Sequence, residues 1–293
     1  MNREATDLAG VRHRVYDTLG STNAEALALA RAGERGPFWV SAARQTAGRG
    51  RRGREWVSPA GNLYATLLLS EPSPSAQAPQ LTFVAALALH DAVGECAPQL
   101  GPALKVKWPN DLLQGGAKLA GILIESENQP HFAVAIGIGI NCVSHPSDTA
   151  FPATDLAVAK ALVTPERLLT VLAKAMQRRL TQWQQGGGFA AIRADWLQRA
   201  AGLGEPIRVR LPERELAGRF RGLDEAGRLQ VEEAGGVVSV TAGEVFEFGT
   251  SIPPLKGEGR SAEGGSGWGH SSTKQPTPTR TASPSDLPLA GGG

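Results

Sequence analysis

The sequence predicts an α+β protein in which a mixed sheet with flanking helices is followed by a small β-barrel. Segments with helical periodicity alternate with short apolar strands as far as about residue 203. After Gly204 the pattern changes to five short strands within about 45 residues, separated by turn-forming segments, which is typical of a small barrel. No internal repeat with a period of roughly 20–50 residues occurs, which excludes a solenoid.

Two helices and three strands are predicted in the first part of the chain. Thr22 and Glu25 form a capping box at the start of an alanine-rich helix that should extend to about residue 32. The other elements are apolar runs bounded by Gly, Pro or charged residues. They are strand 38–43, strand 63–70 after a long loop at 44–61, helix 78–93, and strand 105–108, which Pro109 ends.

The second part begins with two strands in which apolar residues alternate with small ones, as paired strands do. These strands are residues 119–126 and 132–140, and helices at 165–184 and 189–201 follow them. The five strands of the barrel are predicted at 207–211, 215–222, 228–233, 237–241 and 244–248. We therefore expect two folded domains, at residues 1–203 and 204–249.

The last segment, residues 250–293, has a different composition. Gly, Pro and Ser make up about half of it, and no apolar periodicity is present. Such a segment cannot bury enough apolar surface to offset the entropy lost on ordering. We predict a disordered tail, with a docking role as the alternative.

Composition excludes several function classes. The chain has 30 Lys and Arg residues against 28 Asp and Glu residues, so a nucleic-acid or membrane partner would need a local basic patch. Cys96 and Cys142 lack the spacing of a metal or disulfide site, which predicts a reducing, cytoplasmic location. No apolar run is long enough to span a membrane, and the N-terminus lacks the apolar centre of a signal peptide.

A loop rich in Arg and Gly at residues 44–56 carries the strongest chemical signal. It contains five arginines and three glycines within thirteen residues and lies between two predicted strands. Glycines let a backbone approach a ligand closely, and arginines bind phosphate and carboxylate oxygens two at a time. The loop matches neither the Walker nor the Rossmann pattern. It suits two anionic groups, although a solvated basic loop or a nucleic-acid patch remains open.

Two further segments have polar or glycine residues at strand positions. Strand 105–108 ends in Pro109, Asn110 and Asp111, and a hairpin then returns a strand that begins at Lys118. This arrangement predicts an ammonium group beside the Asn-Asp corner, unless Lys118 is only a solvated edge residue. Residues 137–141, GIGIN, lack the third glycine of a dinucleotide motif. They indicate a strand packed closely under a neighbouring backbone or ligand.

Together these segments resemble the biotin protein ligases, also called biotin–[acetyl-CoA-carboxylase] ligases. The resemblance covers residues 14–249 and is carried, in the family's order, by residues 21–23, 45–56, 107–111, 118–122 and 137–141. It implies a catalytic domain like those of class II synthetases and lipoate ligases, followed by an SH3-like barrel. It also implies a two-step reaction, in which biotin and ATP form biotinyl-5′-AMP and a lysine of a biotin carboxyl carrier protein then displaces AMP.

The resemblance assigns roles to single residues. Lys118 and Arg51 would be catalytic, with Lys118 bridging the biotin carboxylate and the α-phosphate and Arg51 retaining the intermediate. Asp111 would hold Mg²⁺ together with the ATP phosphates. The biotin contacts would be Ser21, Thr22, Asn23, Gln45, Arg49, Gly50, Arg51 and Lys118. The ATP and adenylate contacts would be Arg49, Arg51, Arg54, Trp56, Asn110, Asp111 and Asn141.

The expected partners follow from the same resemblance. The acceptor would be the biotin carboxyl carrier protein, with no DNA or membrane partner, and a homodimer is left open. Some ligases of this family carry an N-terminal helix-turn-helix domain, but only about 14 residues precede the matching region, so a monofunctional ligase is expected. Two other interpretations remain: a lipoate-type ligase or acyltransferase, and a nucleic-acid-binding module that uses the arginine loop.

Overall fold

The computed structural model describes residues 2–249 and confirms the predicted fold class. A mixed sheet with four flanking helices is followed by a five-stranded sheet, and both belong to one compact unit. The strands of the first sheet are β1 Asn2–Leu8, β2 Val11–Leu19, β3 Phe38–Gln45, β4 Leu63–Ser70, β5 Leu104–Lys107, β6 Asp111–Gln114, β7 Ala117–Glu127 and β8 Ala133–Ile140. The helices are α1 Thr22–Arg31, α2 Leu81–Cys96, α3 Pro165–Trp183 and α4 Phe189–Gln198. The predicted tail lies outside the described residues.

The eight-stranded sheet has the order β1-β2-β3-β4-β8-β7-β6-β5. Its β2–β3 pair is parallel and the other pairs are antiparallel. Strands β1 and β2 were not predicted as elements. The sequence of β2, VRHRVYDTL, carries four charged or His residues and is only half-buried, because it lies near the sheet edge, so the alternation that marks a strand is weak.

Helix α1 covers one face of the sheet, and α2, α3 and α4 cover the other. Ala26 and Ala30 of α1 pack with Val40 and Leu68 from the strands, whereas the second face carries the main core. The predicted capping box is wrong in detail. The N-cap is Ser21, whose Oγ accepts from the N–H of Ala24 at 3.4 Å. Glu25 instead accepts a hydrogen bond from the Tyr16 hydroxyl at 2.8 Å.

Strand β8 shows how the sheet makes room on the α1 face. Its isoleucines, Ile136, Ile138 and Ile140, belong to the main core on the α2 face. Because successive residues of a strand point to opposite faces, Gly137 and Gly139 lie on the α1 face. The alternation of Gly and Ile therefore gives one face packed with isoleucines and one face without side chains of its own. The close approach that the sequence indicated comes from the side chains of Asn23 and Trp56.

The C-terminal sheet consists of the five predicted strands, all antiparallel. They are β9 Pro206–Arg210, β10 Glu215–Leu223, β11 Leu229–Glu233, β12 Gly236–Val240 and β13 Glu244–Phe248, in the order β12-β11-β10-β9-β13. The ladder among these described strands is not closed, so the barrel is open. Apolar residues of this sheet, such as Ile207 and Phe220, belong to the same core as the main domain. The domain boundary at residue 203 stays a prediction.

Candidate functional site

A cavity of about 440 Å³ lies on the α1 face of the large sheet. It is bordered by the start of α1, the arginine loop, the β5–β6 turn, strands β7 and β8, the segment 146–153 and Glu244. Every site residue that the sequence predicted lies in its wall: Ser21, Thr22, Asn23, Gln45, Arg49, Gly50, Arg51, Arg54, Trp56, Asn110, Asp111, Lys118 and Asn141. The fold thus brings together segments separated by more than one hundred residues in sequence.

One end of the cavity is neutral and rich in hydrogen-bonding groups. Gln45 Oε1 accepts from the backbone N–H of Thr22 at 2.8 Å and from its hydroxyl at 3.2 Å. Gln45 Nε2 donates to the Ser58 hydroxyl at 3.0 Å. These bonds fix Gln45 against the start of α1. We call this region, formed by Ser21, Thr22, Asn23, Gln45 and Thr66, the head-group end.

Asn23 is buried, and its amide group is bonded within the protein. Asn23 Nδ2 donates to the carbonyl of Leu123 at 3.2 Å and to Glu125 Oε2 at 2.8 Å. Its Oδ1 accepts from the Thr66 hydroxyl at 2.7 Å. Both N–H donors are therefore used. In this arrangement Asn23 holds the start of α1 on the sheet, whereas the hydroxyl hydrogen of its neighbour Ser21 can reach a ligand acceptor.

Glycines on the sheet are required where side chains cross the open face. A Cβ at Gly137 would lie 2.3 Å from Asn23 Oδ1, and one at Gly139 would lie 2.5 Å from Trp56 Nε1. Gly121, the register partner of Gly139 on β7, lies under the same indole ring, with its Cβ position 3.0 Å from the ring. The glycines therefore form a floor that the Asn23 and Trp56 side chains contact.

Trp56 separates the two ends of the cavity. The Lys118 ammonium lies 5.3 Å from the centre of its ring, a cation–π distance. Its Nε1 is buried and has no hydrogen-bond partner among the residues that the structure describes. A buried donor of this kind is costly, and this one lies against the sheet, next to Gly139.

The other end, the charged end, is built around Asp111. Lys118 Nζ lies 2.6 Å from Asp111 Oδ1, and Lys107 Nζ lies 2.9 Å from Oδ2. Burial by itself would raise the pKa of Asp111, but the two ammonium groups outweigh it and hold the pKa at about 2. Asp111 thus remains ionised and fixes Lys118 at the cavity wall.

Lys107 is a member of this cluster to which the sequence analysis assigned no role. Its ammonium is buried, donates to the carbonyl of Val245 at 3.1 Å and lies 3.9 Å from the centre of the Phe151 ring. Its position in the segment 107–111 was a signal, but its burial and its contact with the C-terminal sheet depend on residues far along the chain. Phe151 and the rest of segment 146–153 gave no sequence signal.

The arginine loop is held on two sides. Arg54 and Glu244 form two bonds of 2.9 and 2.8 Å, and Arg49 Nη2 lies 3.1 Å from Glu125 Oε2. Arg51 Nη1 donates to Asn110 Oδ1 and to the carbonyl of Gly243, both at 3.3 Å. Burial, followed by the neighbouring Arg52, lowers the pKa of Arg51, although a guanidinium stays charged. Neither Glu125 nor Glu244 was predicted.

The remaining amides at the charged end make bonds to backbone groups. Asn110 Nδ2 donates to the carbonyl of Ile122 at 2.6 Å. Asn141 Nδ2 donates to the carbonyl of Thr154 at 3.0 Å, and its own carbonyl accepts from Leu156. Asn141 therefore fixes the end of the segment 146–153, which borders the cavity.

The donor set does not fit a protein-held Mg²⁺ ion. Within residues 2–249 no group of three or more His, Cys, Asp or Glu could hold a metal ion. Both oxygens of Asp111 face ammonium groups, and the Asn110 oxygen accepts from Arg51. The predicted role of Asp111 as the Mg²⁺ ligand is therefore not favoured, because a cation there would have to displace two lysines.

The helices of the described residues include none that is long and apolar enough to cross a membrane.

Comparisons with known proteins agree with the site. The Biotin/lipoate A/B protein ligase family matches residues 21–141, and the Biotin protein ligase C terminal domain matches residues 202–246. The biotin–[acetyl-CoA-carboxylase] ligase of Paracoccus denitrificans is 47% identical over 238 residues, which are 77% of this chain and 96% of that protein.

Solved structures show the same fold. The Aquifex aeolicus biotin protein ligase in complex with biotin and ATP has a TM-score of 0.69 and 26% identity, covering 80% of this chain and 97% of that one. The Leishmania major enzyme in complex with biotinyl-5-AMP has a TM-score of 0.57 and 28% identity, covering 78% and 98%. These matches and the geometry of the cavity agree: the chain belongs to the biotin protein ligase family.

Proposed function

We propose that this chain activates biotin with ATP as biotinyl-5′-AMP and transfers the biotinyl group to a lysine of a biotin carboxyl carrier protein. The observation that carries the proposal is the cavity itself, in which a neutral hydrogen-bonding end and a cationic end meet beside Trp56. Biotin has the same division, with a neutral ureido ring at one end and a carboxylate at the other. Its valeryl chain would run between these two ends.

The charged end supports the first step. The biotin carboxylate attacks the α-phosphorus of ATP, and the bond to pyrophosphate breaks. The two reacting groups are both anionic, and Lys118, held by Asp111, and Arg51 supply fixed positive charge between them. Such preorganised charge lowers the free energy of the transition state more than solvent can, because it needs no reorganisation.

Mg²⁺ is expected to accompany the nucleotide and not to occupy a protein site. Phosphate oxygens supply the ligands that this ion prefers, whereas Asp111 is paired with Lys107 and Lys118. The ion would shield the pyrophosphate leaving group, while the protein cations act on the α-phosphate and the carboxylate.

The arginine loop supports retention of the intermediate. It borders the cavity through Arg49, Gly50, Arg51 and Arg54, so its closure would exclude water from an anhydride that hydrolyses readily. We expect Arg51→Gly to release biotinyl-5′-AMP and to label bystander lysines. Trp56 would lie against the adenylate, and Asn141 would act by fixing the segment 146–153.

The head-group end favours biotin over lipoate. A ureido ring offers a carbonyl acceptor and two N–H donors, which Ser21, Thr22 and Gln45 can bind, whereas a dithiolane ring offers none of these. The carrier protein of acetyl-CoA carboxylase is the acceptor that we propose from the Paracoccus relative. A homodimer, a cytoplasmic location and the absence of a DNA partner stay predictions.

The test is transfer of labelled biotin from ATP and biotin to a purified carrier protein. The parent chain should label the acceptor lysine, and Lys118→Ala should label it at least about a hundredfold more slowly. A parent chain that consumes no ATP in the presence of biotin would contradict the proposal. Labelling with lipoate but not biotin would favour the lipoate-type alternative.

A further inference from the structure

Glu125 on β7 joins two parts of the site through one carboxylate oxygen. Its Oε2 accepts from Asn23 Nδ2 at 2.8 Å and lies 3.1 Å from Arg49 Nη2. Asn23 belongs to the head-group end, and Arg49 lies in the middle of the arginine loop. Glu125 does not border the cavity, so it can affect a ligand only through these two residues.

The Asn23 side of this contact is rigid. The Asn23 amide is held by Leu123, Thr66 and the glycine floor, with no space for a Cβ at Gly137. Because Asn23 cannot move without breaking several bonds, it fixes the Glu125 carboxylate in turn. The carboxylate then presents a fixed negative charge to the arginine loop.

On the other side of the contact, Arg49 is part of the hairpin that carries Arg51. Arg49 pairs with Glu55 in a short antiparallel bridge, and the N–H of Gly50 donates to the carbonyl of Arg54 at 2.7 Å. The loop is thus a small hairpin with Arg49 at its base and Arg51 near its tip. A displacement of Arg49 is transmitted to Arg51 through the single residue between them, Gly50.

We propose that Glu125 is a positioning residue that holds the arginine loop against the head-group end, and so sets how long the acyl adenylate is retained. This inference rests on the proposed function and specifies how its retention step is controlled. Because Asn23 fixes the Glu125 carboxylate before a ligand arrives, Arg49 docks on a negative charge that is already in place. Escape of the intermediate requires that the Glu125–Arg49 pair open first.

The chain offers a matched control on the same strand. Two residues further along β7, Glu127 pairs with Arg31 of α1 at 3.0 Å. The side chains of that pair are 29% and 51% exposed, against 29% and 46% for Glu125 and Arg49. Strand, distance and exposure are alike, but the Glu127 pair contacts neither the loop nor Asn23. Its removal tests the loss of a surface ion pair alone.

The experiment compares Glu125→Gln, Arg49→Gln, their double variant and Glu127→Gln. For each full-length chain, biotin-dependent pyrophosphate exchange gives KM and kcat, and rapid filtration of preloaded enzyme gives the release rate of biotinyl-5′-AMP. We expect Glu125→Gln to raise the KM for biotin and the release rate about fivefold, with a smaller change in kcat. The double variant should resemble the single ones, because both remove the same contact.

Three results would overturn the inference. One is a release rate for Glu125→Gln equal to that of Glu127→Gln; another is a double variant whose effect is the product of the single effects. The third is a parent chain without biotin-dependent exchange, which contradicts the proposed function as well and so differs from the first two. If Glu125→Gln does not fold, Arg49→Gln in the exposed loop gives the same readout, and an unchanged release rate there is decisive.

Discussion

The two ends of the cavity are built from side chains that differ in length and charge. The head-group end uses short, neutral side chains that are buried and bonded to one another, such as Thr22, Asn23 and Thr66. The charged end uses long cationic side chains around a single carboxylate. Short side chains lose little rotamer freedom on ordering, so they can be prearranged before a ligand arrives. Long ones need a counter-ion to stay in place.

We therefore expect the two ends to have different functions. The head-group end selects the ligand through hydrogen bonds that a wrong ring cannot make, because buried polar groups left unpaired are unfavourable. The charged end acts on the transition state, in which charge develops on the phosphate. Changes at the charged end should therefore lower kcat, whereas changes at the head-group end should raise the KM for biotin.

The largest effect is expected for Lys118→Ala. Removal of the ammonium between the two reacting anions should lower the rate of biotin-dependent pyrophosphate exchange about 10²–10³-fold, with a small change in the KM for biotin. Steady-state exchange kinetics measure both values. Lys105→Ala on β5, the edge strand of the same sheet, is the matched control and should retain the parent rate. A rise in the KM for biotin without a fall in kcat would contradict the proposal that the charged end acts on the transition state.

Asp111→Asn should have the next largest effect, on both rate and stability. The change leaves the buried Lys107 ammonium without its carboxylate partner, which should lower the free energy of unfolding by roughly 3–5 kcal/mol. Exchange should fall about tenfold or more, because Lys118 loses its fixed position. Chemical denaturation and exchange assays at pH 7 measure the two effects.

The same carboxylate predicts a pH dependence. The pKa of Asp111 is lowered from 3.8 to about 2 in the folded state. Its contribution to stability is therefore fully present above about pH 4 and is lost as the pH falls through about 2. Between these limits the parent chain should lose more stability than Asp111→Asn, so their unfolding free energies should converge in acid. A constant difference between them would contradict this assignment.

Gly137→Ala should have a smaller effect, confined to ligand binding. The added Cβ would lie 2.3 Å from Asn23 Oδ1, so Asn23 must shift and the start of α1 with it. We expect the KM for biotin to rise about tenfold, which corresponds to about 1.4 kcal/mol, while kcat changes less. Gly94→Ala in α2, where a Cβ meets nothing within 4 Å, should leave the kinetics unchanged. A fall in kcat with no rise in the KM for biotin would contradict the assignment of Asn23 to the head-group end.

The smallest effect is expected for Glu244→Gln. This change weakens the two-bond contact between the C-terminal sheet and Arg54. Because the Arg54 side chain is half exposed, the contact should be worth about 0.2–1 kcal/mol. The KM for ATP should rise about two- to fivefold and that for biotin less. Glu215→Gln, whose Arg210 contact lies within the C-terminal sheet, is the control.

The sequence predicted which residues line this site better than it predicted the hydrogen bonds and ion pairs between them. The family resemblance, which short motifs carry, identified Gln45, Arg51, Asp111 and Lys118 as site residues, and all four lie in the wall of the cavity. The Asn23–Glu125 contact spans 102 residues, and no local pattern indicates which side chains meet over such a separation.

Local sequence patterns also could not predict the N-terminal strands or the contacts that the C-terminal sheet makes with the site. Strand β2 lies near the sheet edge, where a polar sequence is compatible with pairing. Glu244 resembles any exposed strand residue until the fold brings it to Arg54. Glu125 and Glu244, which bind arginines of the loop, could therefore be identified only from the three-dimensional structure.

The most direct test of the account is pyrophosphate exchange into ATP by the purified chain, measured with biotin and with lipoate as the acid. The account predicts exchange that depends on biotin, is at least tenfold weaker with lipoate at equal concentration, and falls about 10²–10³-fold in Lys118→Ala. Exchange that is equal with both acids would contradict a selective head-group end. Exchange at the parent rate in Lys118→Ala would contradict the charged end as the place where the anhydride forms.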